Sequence, residues 1–358
     1  MATKNAMDVI FSERSIRRVI RRVHSTYTAL RSFIRFQTIM GQCRQSSFAY
    51  NVIRTPETAP PLETCIVDVA ACRYQPPTQK DMAVCFVFFN PARSKKMLMN
   101  YFYTIEKLKL ASIPYYTIEL VFDNHAPEIK DAVHVHSNSV LFHKETLCSI
   151  LEKHVPWRFT KLLFMDADVI FGHPGWYDEV SRLLGTYEVV QPFSSCVWLD
   201  STYKKMVQTR LSVAYMSRTN VYNHTYHPGF AWAFQRKWFR EIGFYQHGIT
   251  GSGDTLSTAA WMDVKFPKGY VHQALLPSYT DYCRMTLPTL TCSTGTIYHL
   301  WHGSAQNRKY VDRHKILNGV RDVRSILEAN KDGVWELTDR SLEAKMREYF
   351  ESREDDGI

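Results

Sequence analysis

No run of about 18 consecutive apolar residues occurs anywhere in the chain, so no transmembrane helix is expected. The opening stretch, MATKNAMDVIFSERS, carries charges that break any apolar core, and it does not read as a signal peptide. The eight cysteines stand at 43, 65, 72, 85, 148, 196, 283 and 292 with no CxxC pair. That scatter argues against a clustered zinc site or a disulfide framework. Cys85 and Cys148 fall in apolar runs and read as buried thiols, which points to a reducing, cytoplasmic compartment. There is no internal repeat, no low-complexity basic tail and no nucleic-acid module signature, so a nucleic-acid partner is not expected.

What is present fits a globular protein. The 358 residues suit one large α/β domain with extensions, or two domains, and the 45% of hydrophobic residues is enough for a sizeable core. The aromatic content of 13% is high and serves either an aromatic core or a concave polar–aromatic site. A net charge of +9 suits an anionic partner: a nucleoside diphosphate, nucleic acid or a membrane surface.

Residues 1–53 form a basic extension: Arg14, Arg17, Arg18, Arg21, Arg22, Arg31 and Arg35 interleave with Ile16, Val19, Ile20, Val23, Leu30, Phe33 and Ile34 near helical spacing. Such a helix either packs on the main domain or makes a peripheral contact with an anionic membrane through residues 14–35. Residues 54–80 are Pro-rich and read as a linker or a strap. From 81 to 325 strands and helices alternate. The expected strands are Ala83–Phe89, Tyr115–Phe122, Val133–His136, Lys161–Met165 and Val189–Phe193; the expected helices run from Arg93 to Leu110, Ser139 to His154 and Thr255 to Met262. This alternation is the mark of an α/β domain with a mainly parallel sheet. Residues 326–358 form a charged helical tail, with a helix expected from Thr338 to Arg353.

Four segments carry chemistry. The apolar strand Lys161–Met165 runs straight into Asp166-Ala167-Asp168. Carboxylates at i and i+2 at a strand end can share one hard divalent cation, Mn²⁺ or Mg²⁺, that bridges a diphosphate. The second is His299-Leu-Trp-His302-Gly, followed by Arg308 and Lys309. His302 is the first choice as a metal ligand, His299 the second, and Arg308 a grip on the diphosphate. The third is His227-Pro-Gly-Phe-Ala-Trp232 with Gly251-Ser-Gly253-Asp254. Asp254 is placed either as a general base on the acceptor hydroxyl or as a helix cap, and both roles are compatible. The fourth is Asn90-Pro91-Ala-Arg93 at the end of the first strand, where ligands sit in open α/β sheets. Lys144, early in the helix before the Asp-Ala-Asp strand, joins it as a donor-binding candidate.

An Asp-x-Asp after a strand also serves phosphatases of the haloacid dehalogenase type, but there the motif usually opens the domain on its first strand. Here three expected strands precede it.

In order, Asn90-Pro91, Lys144-Glu145, Asp166-Ala-Asp168, Trp176, Pro228-Gly229-Phe230-Ala231-Trp232, Gly251-Ser-Gly253-Asp254, His299-Leu-Trp-His302-Gly303 and Tyr349-Phe350-Glu-Ser-Arg353-Glu354-Asp355 resemble a poorly characterised family of GT-A glycosyltransferases from bacteria and large viruses. The resemblance covers roughly residues 83–356. It implies a GT-A (nucleotide-diphospho-sugar transferase, Rossmann-like) α/β/α sandwich with a mainly parallel sheet and helical N- and C-terminal extensions. It also implies a metal-dependent hexosyltransferase-type activity in glycan biosynthesis, with a nucleotide-sugar, a UDP-sugar first, as donor. A glycan, glycoprotein or small molecule would be the acceptor. By the same resemblance Asp166 and Asp168 hold donor and metal, Asp254 faces the acceptor and His302 completes the metal site. The single acid in Gly-Ser-Gly-Asp departs from the Gly-Gly-Glu-Asp-type segment of better-known relatives and leaves inversion or retention open. The competing classes are a metal-dependent phosphohydrolase or nucleotidyltransferase, and a non-catalytic glycan- or nucleic-acid-binding protein on the same scaffold.

Overall fold

The computed structural model describes residues 66–123, 125–215, 226–304 and 306–357. The basic extension 1–53, with the membrane contact expected through residues 14–35, and the first part of the Pro-rich segment lie outside the described residues. So do Cys43 and Cys65, whereas the six described cysteines are free thiols. No helix among the described residues is long and apolar enough to cross a membrane.

In chain order the strands are β1 (Met82–Phe89), β2 (Tyr115–Phe122), β3 (Val133–Ser137), β4 (Lys161–Met165), β5 (Val169–Phe171), β6 (Val189–Gln191), β7 (Ser195–Leu199), β8 (Met206–Ser212), β9 (Tyr226–His227), β10 (Ala231–Gln235), β11 (Leu290–Cys292), β12 (Thr296–His299), β13 (Leu327–Ala329) and β14 (Trp335–Leu337). The α-helices are α1 (Lys95–Leu110), α2 (Lys144–His154), α3 (Trp176–Leu184), α4 (Arg236–Glu241), α5 (Gly253–Trp261), α6 (Leu276–Tyr282) and α7 (Arg340–Glu351). The main sheet has seven strands in the order β11-β6-β10-β4-β1-β2-β3. All run parallel except β10, which is antiparallel to both of its neighbours.

The continuous apolar run of β1 is explained by burial on both faces, since a strand inside a parallel sheet alternates its side chains between two covering layers. Ala83 and Cys85 belong to one core with Leu162, Phe164, Trp232 and Phe234, covered by α2, α5 and α7. Met82, Val84, Phe86 and Phe88 belong to the other, with Leu163 and Met165, covered by α1 and α3. The result is the expected α/β/α sandwich with a mainly parallel sheet.

A second sheet of five strands, β5-β12-β7-β8-β9, grows from the edge where β4 ends. Val67 and Val69 are buried against it with Ile170, Val197, Leu199 and Leu300, and Tyr74 Oη accepts the Phe171 amide at 3.0 Å. The described part of the Pro-rich segment is therefore a strap bound to the domain.

Helix ends depart from the sequence expectation where local chemistry decides them. α1 starts at Lys95 because the Ser94 hydroxyl accepts the Met97 amide at 3.1 Å, leaving Arg93 outside with φ 53°. α2 starts only at Lys144, because before it Val140 and Leu141 are buried in the core, the Phe142 amide donates to the Ile249 carbonyl at 3.0 Å and the His143 ring bonds the Ser139 carbonyl at 2.9 Å. β6 stops at Gln191, where Pro192 removes the next ladder donor.

Candidate functional site

Because β10 runs against the sheet, its first residues lie at the edge where β1 and β4 end: Ala231 pairs with Met165, and the Asp166 amide donates to the Phe230 carbonyl at 2.8 Å. The Asp-Ala-Asp turn and the His-Pro-Gly-Phe turn therefore share one edge. Asp168 leads directly into β5, and β5 pairs with β12 so that His299 is opposite Val169. The Leu300 amide donates to the Asp168 carbonyl at 2.8 Å. A loop after β4 and a loop after β12, distant in sequence, are thus held side by side by the second sheet.

There the ligand-type atoms of Asp168, His299 and His302 lie within 4.8 Å of one another. Asp168 Oδ2 is 2.7 Å from His302 Nε2 and 3.6 Å from His299 Nε2, and the two Nε2 atoms are 3.2 Å apart. Asp168 Oδ1 is buried without a hydrogen-bond partner. A buried orphan carboxylate oxygen is costly unless a cation or donor takes it. Burial pushes the His299 ring down to about 3, so it is a neutral imidazole, as a metal ligand must be. Burial works against the charge of Asp168, but His299, His302 and Arg308 outweigh it and hold the carboxyl well below its usual range. One ionised carboxylate and two imidazoles make a mixed oxygen and nitrogen donor set that a first-row divalent cation such as Mn²⁺ can accept.

Asp166 points elsewhere. It is ion-paired with Lys144, and both side chains are partly exposed. Burial drives the Asp166 carboxyl up, Lys144 counteracts it and Asp168 adds to it. Lys144 keeps its proton because Asp166, Asp254 and Glu145 together outweigh its own burial. The two aspartates are therefore divided: Asp168 faces the histidines and Asp166 faces a lysine.

Asp254 stands in the first turn of α5. The cap position falls to Ser252 rather than to Asp254, whose Oδ1 accepts the adjacent Thr255 amide at 2.7 Å. Asp254 Oδ2 lies over Gly229, where any Cβ would collide with it, and the same Cβ would lie 3.2 Å from His227 Nε2. The His227 Nε2 atom is buried and unpartnered, and its ring packs between Trp198 at 4.9 Å and Phe230 at 4.0 Å. Phe230 also stacks on His299 at 4.9 Å. Phe230 holds φ 72° and Ser252 φ 67°, left-handed values that bulky or capping L residues rarely take. Arg313 and His314 hold the loop before Asp254: Arg313 packs on Gly251, and the His314 ring bonds Thr250 at 2.8 Å and Ser252 at 3.2 Å.

Of the remaining expected residues, Asn90, Pro91 and Arg93 form the turn after β1, and Arg308 packs directly against His302. Asn90 Oδ1 accepts the Ser94 amide at 2.8 Å and its Nδ2 donates to Glu128 at 3.0 Å, so its side chain is spent on shaping the turn that contains Pro91 and Arg93. Arg308 Nη2 lies 2.7 Å from His302 Nδ1 and also donates to the His302 carbonyl at 3.1 Å. Sequence reasoning passed over His227, Trp198, Glu145 and Asp355 as site residues. His227, Glu145 and Asp355 each sit inside a segment already singled out, but the orphan nitrogen of His227 is visible only in three dimensions.

No family model matches the chain, and no curated protein matches it. Solved structures with a similar arrangement include a mutant of Drosophila beta1,4galactosyltransferase 7 in complex with manganese, UDP-Gal and xylobiose, at 10% identity and TM-score 0.36, covering 74% of this chain and 98% of that one. They also include an active-site mutant of LgtC, at 11% identity and TM-score 0.28, covering 61% and 87%. A third is 4-diphosphocytidyl-2C-methyl-D-erythritol synthase from Anaerococcus prevotii, at 8% identity and TM-score 0.29, covering 60% and 87%. At such identities and scores these likenesses carry no weight for function, and the chemistry has to be read from the side chains.

Proposed function

We propose that this chain is a GT-A glycosyltransferase that moves a sugar from a nucleotide-sugar donor, a UDP-sugar first, to an acceptor hydroxyl. The observation that carries this reading is the convergence at one sheet edge of Asp168, His299 and His302, with a buried unpartnered carboxylate oxygen among them, beside a second acid that has its own lysine. Asp168, His302 and His299 would hold the cation, Mn²⁺ or Mg²⁺. When bound, that cation supplies electrostatic stabilisation of the leaving nucleoside diphosphate. Lys144 and Arg308 bring fixed positive charge to the diphosphate, and Asp166, fixed by Lys144, orients the donor. The turn at Asn90, Pro91 and Arg93 borders the donor from the end of β1.

Asp254 Oδ2 is the base in this reading. An acceptor hydroxyl that reaches Asp254 Oδ2 near Gly229 donates its one proton to Asp254 and accepts from His227 Nε2–H, while Trp198 and Phe230 keep the imidazole in place. The proton passes from the hydroxyl to Asp254 as the oxygen attacks the sugar.

The test is donor hydrolysis across a panel of nucleotide sugars with Mn²⁺, Mg²⁺ or EDTA, with Asp168→Ala as control. Metal-dependent release of a free nucleoside diphosphate that the variant loses supports the reading and names the donor. Release of phosphate or pyrophosphate instead would favour a phosphohydrolase or nucleotidyltransferase. Salt-dependent binding to nucleic acid or glycan with no turnover and no donor binding would favour a binding protein.

A further inference from the structure

Among the described residues, Arg236, Arg313 and Arg353 are each more than nine-tenths buried. Arg236 Nε donates to the Glu152 carboxylate at 2.6 Å, and its other nitrogens donate to the carbonyls of Glu152, Val155, Pro156 and Phe159. Arg353 has Asp355 at 3.1 Å. Arg313, 8% exposed, is paired with no carboxylate of the described residues: even Asp312, next to it in the chain, is taken by Lys315 at 2.7 Å. Its guanidinium makes one long hydrogen bond, from Nη2 to the Ser252 hydroxyl at 3.4 Å, and Nε is buried without a partner. The Phe142 and Tyr310 rings, 4.7 and 5.0 Å from its Cζ, offset part of the charge but take none of the N–H groups. A buried guanidinium with unfilled donors costs stability unless an anion reaches it.

Arg313 stands against the loop that delivers Asp254. Its guanidinium lies over Gly251 so closely that a Cβ there would overlap it. Ser252 occupies the N-cap position of α5, yet its hydroxyl is turned to Arg313 and to the His314 ring at 3.2 Å and makes no capping hydrogen bond. The positive end of α5 is therefore left without a side-chain cap beside a cation that has no anion. The two acids at this helix end are engaged elsewhere, Asp254 Oδ2 over Gly229 and the Glu145 carboxyl against Gly253. Two exposed tyrosines border the loop. Tyr310, 56% exposed, lies on the Arg313 guanidinium, and Tyr270 stacks on Phe266 at 4.5 Å. The Tyr270 phenol is within electrostatic reach of both Asp254 and Arg313. Exposed tyrosine rings pair an apolar face with a polar tip, which suits the face of a sugar ring. Arg308 differs from Arg313 in place, since it packs on His302 on the donor side.

We propose that the acceptor is an acidic sugar: its anionic group, a carboxylate, sulfate or phosphate, pairs with the planar fork of Arg313, while the hydroxyl to be glycosylated reaches Asp254. This inference rests on the transferase reading given above and names the chemical class of its acceptor. A guanidinium matches two oxygens of such a group at once, which a lysine ammonium does not.

The experiment titrates the full chain, with UDP and Mn²⁺ present, against matched pairs of p-nitrophenyl glycosides. The pairs are glucuronide and glucoside, galacturonide and galactoside, and the 6-sulfate and 6-phosphate of each neutral sugar beside its parent. Binding is read by calorimetry for the parent chain, Arg313→Gln and Arg313→Lys, with the Tm of each and its affinity for UDP. An acidic member is expected to bind about 10- to 100-fold more tightly than its neutral partner. Arg313→Gln should abolish that difference and leave UDP affinity and the neutral sugar unchanged, which a merely structural role would not do. The pair that discriminates names the anionic group. Equal binding within every pair, no binding by any member, or a difference that survives in Arg313→Gln would overturn the inference. A loss of UDP affinity in its place would assign Arg313 to the donor and overturn it too. Should Arg313→Gln fail to fold, Arg313→Lys carries the test, and parent-like discrimination by the folded variant would overturn the role of the guanidinium. Donor hydrolysis is measured alongside. Hydrolysis without acid preference overturns the inference alone; acid preference without hydrolysis of any donor overturns the transferase reading, and the acceptor role with it.

Discussion

Asp168 Oδ2 and His302 Nε2 lie 2.7 Å apart, brought together because β5 and β12 pair side by side. Their contact defines the site, and it makes the metal requirement a two-residue property. Asp168→Asn and His302→Ala are each expected to remove measurable Mn²⁺ binding in calorimetry and to lower nucleoside diphosphate release by on the order of 10²-fold or more. Either variant keeping full metal affinity would dismiss these two as the ligands.

Asp254 divides its oxygens between the start of α5 and the space beside Gly229. Asp254→Asn preserves the hydrogen bond to the Thr255 amide but cannot take a proton. Transfer to an acceptor is expected to fall by on the order of 10² to 10⁴, with Mn²⁺ affinity and donor binding little changed. The measurement is glycosylated product against donor titration by calorimetry. Undiminished transfer in the variant would remove Asp254 from the base role.

Gly229→Ala tests the same space from the other side. The new methyl collides with the Asp254 carboxylate and comes within 3.2 Å of His227 Nε2. Acceptor-dependent turnover should drop sharply, mainly as a loss of kcat, while the metal site is untouched. Parent-like turnover would show that nothing reactive occupies this space.

Glu145 gives a pH signature. Its carboxyl packs on Gly253, and burial lifts it to about 7. An acid whose pKa is raised on folding holds its proton more tightly in the native state, so its contribution is full below the unfolded value and is lost as the pH rises through 7. Unfolding free energy of the parent should therefore fall between about pH 5 and 8 by up to about 3 kcal/mol relative to Glu145→Gln, which lacks the titration. Parallel stability–pH curves for the two proteins would contradict it. The difference between the proteins is the observable, because groups away from Lys144, Asp166 and Asp254 titrate equally in both.

The long elements are legible in the sequence alone. β1, β2 and β4 coincide with their apolar runs, because burial on both faces demands continuous hydrophobicity and little else in this chain has it. The short strands of the second sheet were not readable. β5, β7 and β12 have too few residues for periodicity to show, and their pairing is set by neighbours far away in sequence. The Asp166-Ala-Asp168 and His299-Leu-Trp-His302 segments were visible as concentrations of ligand-type residues. Their local pattern said nothing of the division by which Asp168 turns to the histidines and Asp166 to Lys144.

By itself, then, the chain of residues determined the α/β class, the strand that delivers Asp166 and Asp168, and the chemical kind of the candidate ligands. These follow from local patterning and from side-chain type. Only the tertiary structure decided which of those groups meet. The reversed β10 carries His227 and Gly229 to the edge where β4 ends, the second sheet sets His299 beside Asp168, and the segment after α7 puts Asp355 behind His302. Such meetings depend on strand order and long-range packing, which no local spacing encodes.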